Sequence, residues 1–308
     1  MYSLLLSSNM QWVLASATAL GIAAGAVGCL SYFRRQNLLS DSLAHTALPG
    51  VVIAFLIIGE KNLPLLILGA ATSALVGAFF IQIISSSSRI SEDSSMGMIL
   101  SIFYGFGIML LTVANRIAGG NKSGLDNFIF GQAAAMVRAD VYTMLILALI
   151  IVLALVLAFK EWKVYLFDPD FARVFGLSSK RMDIFYILLL VGTIVIGIQA
   201  VGVILIAALM IIPAVSARYW SRSFSGMLVL AALFGGLTGA VGTLVSAFGR
   251  GWPTGPFIVL IAAFIFFISL VFGIEKGLFI RYVVYKKKQQ EVTNFQVMVP
   301  LSREGEVK

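Results

Sequence analysis

The sequence predicts an all-α fold, a polytopic membrane helical bundle of about eight to nine transmembrane helices. Three observations point to it. Apolar residues make up 60% of the 308 and charged residues only 12%, a make-up outside that of ordinary soluble domains. The apolar residues fall in runs close to the ~20 that a helix needs to cross a bilayer. Those runs are dominated by Leu, Ile, Ala and Gly and lack strand-like alternation, which selects helices over barrel strands.

Cutting the chain at charges and turn residues gives nine spans in order: Gln11–Phe33, Ser40–Ile58, Leu63–Ile84, Met96–Ala114, Val141–Phe159, Asp183–Gln199, Gly202–Ala217, Gly226–Phe248 and Phe257–Gly273. The first 33 residues carry no charge. A signal peptide needs a basic start and a shorter core, so this run is expected to stay as a helix. The interior from Asp183 to Arg218 is free of charge and must hold two spans joined by a tight turn near Gln199–Gly202. Residues 1–285 therefore form one transmembrane domain, and 286–308 a polar tail without periodicity.

Net charge is +8, which invites a nucleic-acid partner. The basic residues, however, sit in short loops between apolar runs, so membrane topology accounts for them and no nucleic acid is expected. With the N-terminus outside, seventeen of the 22 lysines and arginines fall inside and five outside. That bias puts the C-terminus in the cytoplasm.

Three loops carry more than topology. Arg116 to Ala139 is long for a bundle and is expected to form a short surface helix outside. Asp168 to Leu177 reads as a capped cytoplasmic helix, with acids in its first turn and Gly176 as its stop. Pro213 to Gly226 follows a span that proline bends in its last turn. It carries Arg218, Tyr219, Trp220 and Arg222, an amphipathic segment for headgroups or another protein. Glycines at helical spacing, Gly21, Gly25 and Gly28, then Gly235, Gly239 and Gly242, mark faces where helices approach closely.

Several chemistries are excluded. There is no Gly-x-x-x-x-Gly-Lys-Ser/Thr phosphate loop, no His-Glu-x-x-His and no Gly-x-Ser-x-Gly elbow, so the chain is read as a transport subunit and not an enzyme. The single cysteine, Cys29, allows neither a disulfide framework nor a thiolate cluster.

What remains is one stretch within the second span. His45 is the only histidine, and Asp41 lies four residues before it, one helical turn away on the same face. One cation could touch both. Pro49, four residues further, has no N–H for the carbonyl of His45 and frees a backbone oxygen beside the pair. The same spacing also fits an interfacial carboxylate and a packed imidazole. Ionisable groups inside spans are costly and tend to be functional, which raises the weight of a metal or ion site beside that plainer reading.

The run Asn37-Leu38-Leu39-Ser40-Asp41-Ser42-Leu43-Ala44-His45-Thr46-Ala47-Leu48-Pro49-Gly50-Val51 resembles the signature of the permease subunits of bacterial manganese, zinc and iron importers of the ABC class. Asp168–Leu177 and the block from Gly202 through Pro213 to Arg218 are similar to the same family, in the same order. The resemblance implies a fold like the vitamin B12 type of importer. It implies a membrane dimer with a second permease subunit of the same or a related chain, two copies of a separate ABC ATPase, and an extracellular metal-binding lipoprotein. It makes Asp41 and His45 the metal-coordinating pair of the pathway. It puts the coupling contact with the ATPase near Ser216 to Gly226, at Ser216, Ala217, Arg218, Tyr219, Trp220 and Arg222, with Asp168–Leu177 as an adjacent helix. No cofactor is expected to be bound permanently. Oxygen and imidazole without thiolate suit Mn²⁺ as cargo, with Zn²⁺ or Fe²⁺ also accommodated. Two other cargo arrangements fit the same composition: an ABC importer of a metal chelate (siderophore, haem or cobalamin), and a gradient-driven metal transporter or channel.

Overall fold

A computed structural model of the chain describes residues 8–59, 62–117, 131, 138–249, 252–282, 285–286 and 289. Every regular element among the described residues is helical: α1 (Ser8–Arg34), α2 (Asn37–Ile58), α3 (Leu63–Ser87), α4 (Glu92–Ile117), α5 (Arg138–Leu157), α6 (Phe159–Phe167), α7 (Pro169–Val174), α8 (Ser179–Val201), α9 (Val203–Arg218), α10 (Phe224–Phe248) and α11 (Thr254–Phe272). Eight of them are long and apolar enough to cross a membrane. The ninth, α9, has 16 residues, about 24 Å at 1.5 Å per residue, and falls short of the ~30 Å hydrocarbon core. Each of the nine spans read from the sequence thus corresponds to a helix, and the chain is a multi-pass membrane protein. The surface helix expected within 116–139 and the tail beyond Gln289 lie outside the described residues.

The breaks between helices have local causes. The α1–α2 turn is closed by two hydrogen bonds, Gln36 N–H to the Ser31 carbonyl (3.1 Å) and Arg35 N–H to the Tyr32 carbonyl (3.2 Å). Arg35 takes the left-handed conformation, φ 59°, where glycine is usual. The turn is tight, so α2 starts beside the end of α1. The expected turn between the sixth and seventh spans falls at Gly202, φ 93° and ψ 162°, a region open essentially only to glycine. Its N–H still donates to the Ile198 carbonyl (2.9 Å), ending α8 before α9 begins.

α1 packs most extensively on α10, and the glycines explain how. A Cβ on Gly21 would fall on the carbonyl of Gly235, one on Gly25 on that of Ala231, and one on Gly239 on that of Ala17. The two backbones touch directly. Gly28 meets the Met210 carbonyl of α9 in the same way. Inserting a side chain forces these helices apart, a strain of several kcal/mol, since overpacking a core by even a few methylenes costs about 1–3 kcal/mol. Gly235→Leu is therefore expected to lower the thermal midpoint of the purified chain sharply, although leucine is the better helix former. Gly97→Leu on α4, where nothing lies within 4 Å, should leave it unchanged. Thermal unfolding in detergent reads both.

One end of the bundle is tied by a polar network. The Arg34 guanidinium donates to Asp183 Oδ1 (2.7 Å) and to Gln36 Oε1 (3.0 Å) and lies over the Tyr186 ring at 4.5 Å. Tyr165 of α6 donates its hydroxyl to the same Asp183 oxygen (2.8 Å), and Gln36 donates to Glu92. Burial, together with the Asp183 carboxylate, pushes the Tyr165 phenol above its ordinary range. The starts of α2, α4 and α8 and the end of α1 meet here, next to α6 and α7.

Candidate cation pair and docking face

The Asp41–His45 pair forms as the spacing predicts. Both residues lie in the first three turns of α2, with His45 Nε2 3.6 Å from Asp41 Oδ1. This is longer than a hydrogen bond. It matches two ligands of a common ion, since donors about 2.1 Å from a cation at a roughly tetrahedral angle stand about 3.5 Å apart. Among the described residues His45 is the only ion-pair partner of Asp41. The Asp41 side chain is 40% exposed and that of His45 15%, so the pair sits at an open edge of the protomer.

Its neighbours hold α2 in place. Ser42 donates to the Met96 carbonyl of α4 (3.2 Å), and Ser73 of α3 donates to the Thr46 carbonyl (2.6 Å). Gly50 and Gly69 bring α2 and α3 into backbone contact, and Gly107 leaves room for Leu48 and Pro49 against α4. α2 runs through Pro49 without interruption, and the His45 carbonyl has no Pro49 N–H to accept. The Tyr104 ring of α4 meets the His45 ring at 4.7 Å with a 78° interplanar angle. Spacing arguments within α2 alone did not reveal Tyr104, Ser73 or Gly107, because each arrives from another helix.

Among the described residues no three His, Cys, Asp or Glu side chains gather as a metal group, and Asp41 and His45 stand as a pair. Three further carboxylates lie near span ends: Glu60 and Asp126 fall outside the described residues, and Asp140 stands in the first turn of α5.

The residues expected to couple to an ATPase divide. Ser216 and Ala217 are fully buried in the chain, with the Ser216 hydroxyl donating to the Ile212 carbonyl (2.8 Å). Arg218 donates to the Ser221 carbonyl (3.1 Å). Tyr219 packs against Phe266 and its carbonyl accepts the Glu275 N–H (2.9 Å). Trp220 Nε1 donates to Ser269 Oγ (2.9 Å), and Arg222, exposed, pairs with Glu275. This turn is fastened to the end of α11.

The segment read as an adjacent helix is the more open one. Asp168 caps α7 by accepting from Phe171 N–H (3.0 Å). Gly176, φ 83°, ends it, with Leu177 N–H on the Ala172 carbonyl (2.9 Å) and Gly176 N–H on that of Arg173 (3.1 Å), a Schellman closure. Ala172 is buried while Phe171, Val174 and Phe175 are 50%, 87% and 75% exposed. Three large apolar side chains, two on this six-residue helix and Phe175 at its C-cap, form a bare face outside the spans.

Eight bilayer-length helices with a carboxylate and an imidazole paired within one of them define a multi-pass membrane transport protein. The chain belongs to the ABC 3 transport family, whose model matches residues 7–273. Among its relatives, the manganese transport system membrane protein MntC of Bacillus subtilis is 40% identical over 97% of this chain and 68% of its own length. The zinc transport system membrane protein TroC of Treponema pallidum is 40% identical over 91% of this chain and 94% of its own. The solved structure of PsaBC from Streptococcus pneumoniae in complex with Fab aligns with a TM-score of 0.79 at 30% identity, covering 92% of this chain and 97% of that one. The membership expected from the motif in α2 is borne out.

Proposed function

We propose that the chain is the membrane permease subunit of an ATP-driven importer of a divalent transition metal, with Mn²⁺ the favoured cargo and Zn²⁺ or Fe²⁺ also accommodated. The observation that carries this is the Asp41–His45 pair, spaced as ligands of one ion at an open edge of α2. Two copies of the permease facing each other across a conduit give two carboxylates, which neutralise a divalent cation, and two imidazoles, which complete an oxygen–nitrogen site. Such a site ranks Zn²⁺ above Mn²⁺ in affinity, so selectivity rests in part with the lipoprotein that hands over the metal outside. The names of relatives for manganese and for zinc transport support the metal class.

The end of the bundle that carries α6, α7 and the α9–α10 turn is read as cytoplasmic, in agreement with the charge bias. An ABC ATPase docks there, two copies to a permease dimer. The bare face of α7 provides the main contact and the exposed Arg222 an accessory one. The test is elemental analysis of cells depleted of this subunit and supplied with limiting manganese, zinc and iron in turn. A selective manganese deficit is expected. Unchanged metal content with loss of chelate uptake overturns the assignment in favour of a siderophore, haem or cobalamin cargo.

A further inference from the structure

We infer that Tyr104 is the positioning residue of the cation pair: its ring face accepts the Nδ1–H of His45 and so holds the imidazole in the tautomer that leaves Nε2 free for the metal. The inference rests on the reading of Asp41 and His45 as ligands. His45 Nε2 is the nitrogen turned to Asp41, at 3.6 Å, so a cation between the two takes the Nε2 lone pair and the neutral ring carries its proton on Nδ1. A metal-ligating histidine ordinarily donates that far N–H to a carboxylate, a carbonyl or water, which sets both tautomer and ring angle.

Here that acceptor is missing. Nδ1 is enclosed within the chain and has no hydrogen-bond partner among the described residues. Being enclosed, it cannot be reached by a second copy docked on the open edge. What the ring does have is Tyr104, T-shaped to it with centroids 4.7 Å apart and planes at 78°, a geometry that allows an N–H on the edge of one ring to meet the π cloud of the other. The contact is built by the packing of α4 on α2: Ser42 bonds the Met96 carbonyl two turns below (3.2 Å), and Gly107, one turn above, lets Leu48 and Pro49 close in. The phenol hydroxyl plays no part in this role, so phenylalanine should substitute for tyrosine.

His45 is the only histidine, so ¹⁵N-histidine labelling of the full chain, carrying a histidine-free tag and joined to unlabelled ATPase, gives the signals of one kind of ring. At a pH where the ring is neutral, the wild type is expected to show protonated Nδ1 and bare Nε2, and Tyr104→Phe the same. Tyr104→Leu is expected to admit the Nε2–H tautomer and to raise the half-saturating Mn²⁺ concentration for uptake about tenfold, the lower end of what loss of such a support does, with little change in maximal rate. An Nε2–H tautomer in the wild type, or a Tyr104→Leu spectrum identical to it, overturns the proposal. If Tyr104→Leu does not accumulate, Tyr104→Met reads the same point, and the wild-type spectrum decides the tautomer by itself. A tautomer shift in Tyr104→Leu beside normal uptake by His45→Ala would keep the Tyr104 contact and remove the cation site.

Discussion

Asp41→Asn and His45→Ala are each expected to stop Mn²⁺ uptake, by more than about 100-fold, while the protein accumulates in membranes as before. The lower bound follows from second-sphere changes, which already lower metal affinity by 10–100-fold; loss of a ligand goes further. Asparagine keeps the shape of the carboxylate and removes its charge. Two copies of the variant would leave a divalent cation unneutralised in a low-dielectric conduit. Neither change should unfold the chain, because the Asp41 side chain is 40% exposed and makes no ion pair other than that with His45 among the described residues. Radiotracer uptake in cells, set beside membrane abundance of each variant, checks the result. Wild-type rates in both variants would remove the pair from the mechanism.

Val174→Glu at the end of α7 and Phe175→Glu at its C-cap are expected to release the ATPase and stop transport without loss of folded permease. These side chains are 87% and 75% exposed, so a glutamate at either is hydrated in the free chain and costs the fold little. In a desolvated contact it is buried without a partner. Hot-spot losses of at least about 2 kcal/mol correspond to a roughly 30-fold weaker complex for each substitution. Copurification of the ATPase with tagged permease, and stimulation of its hydrolysis, report the outcome. Arg222→Glu should have the smaller effect, since Arg222 already has Glu275 as its partner. If Arg222→Glu alone releases the ATPase while both α7 variants retain it, the docking face belongs at the α9–α10 turn.

Most of the helical plan was legible because membrane spans announce themselves by length. The hardest cut, between Asp183 and Arg218, succeeded for a physical reason: a charge-free stretch too long for one span must turn, and Gly202 was the residue free to do it. The closeness of Asp41 and His45 was legible because both sit on one helix, where periodicity fixes their relative direction. The burial around the α9–α10 turn was less legible. Ser216 and Ala217 precede the turn that exposes Arg222, yet α9 rotates them into the core. The phase of burial on a helix that is apolar on every side is set by its neighbours, so periodicity could not report it. The bond from Arg34 to Asp183, across 149 residues of sequence, and the approach of Tyr104 to His45 were hidden for the same reason.

The direct seating of α1 on α10 limits how cargo can move. Where carbonyl rests on glycine at Gly21, Gly25, Gly235 and Gly239, no intervening side chains can slide over one another, and the two helices behave as a single stiff rib. A transport cycle that opens first to one side and then to the other must therefore swing this rib as a unit or flex around it. The turns at Arg35 and Gly202, both held at positive φ, are the joints available beside it, and the first leads straight into the helix that bears Asp41 and His45.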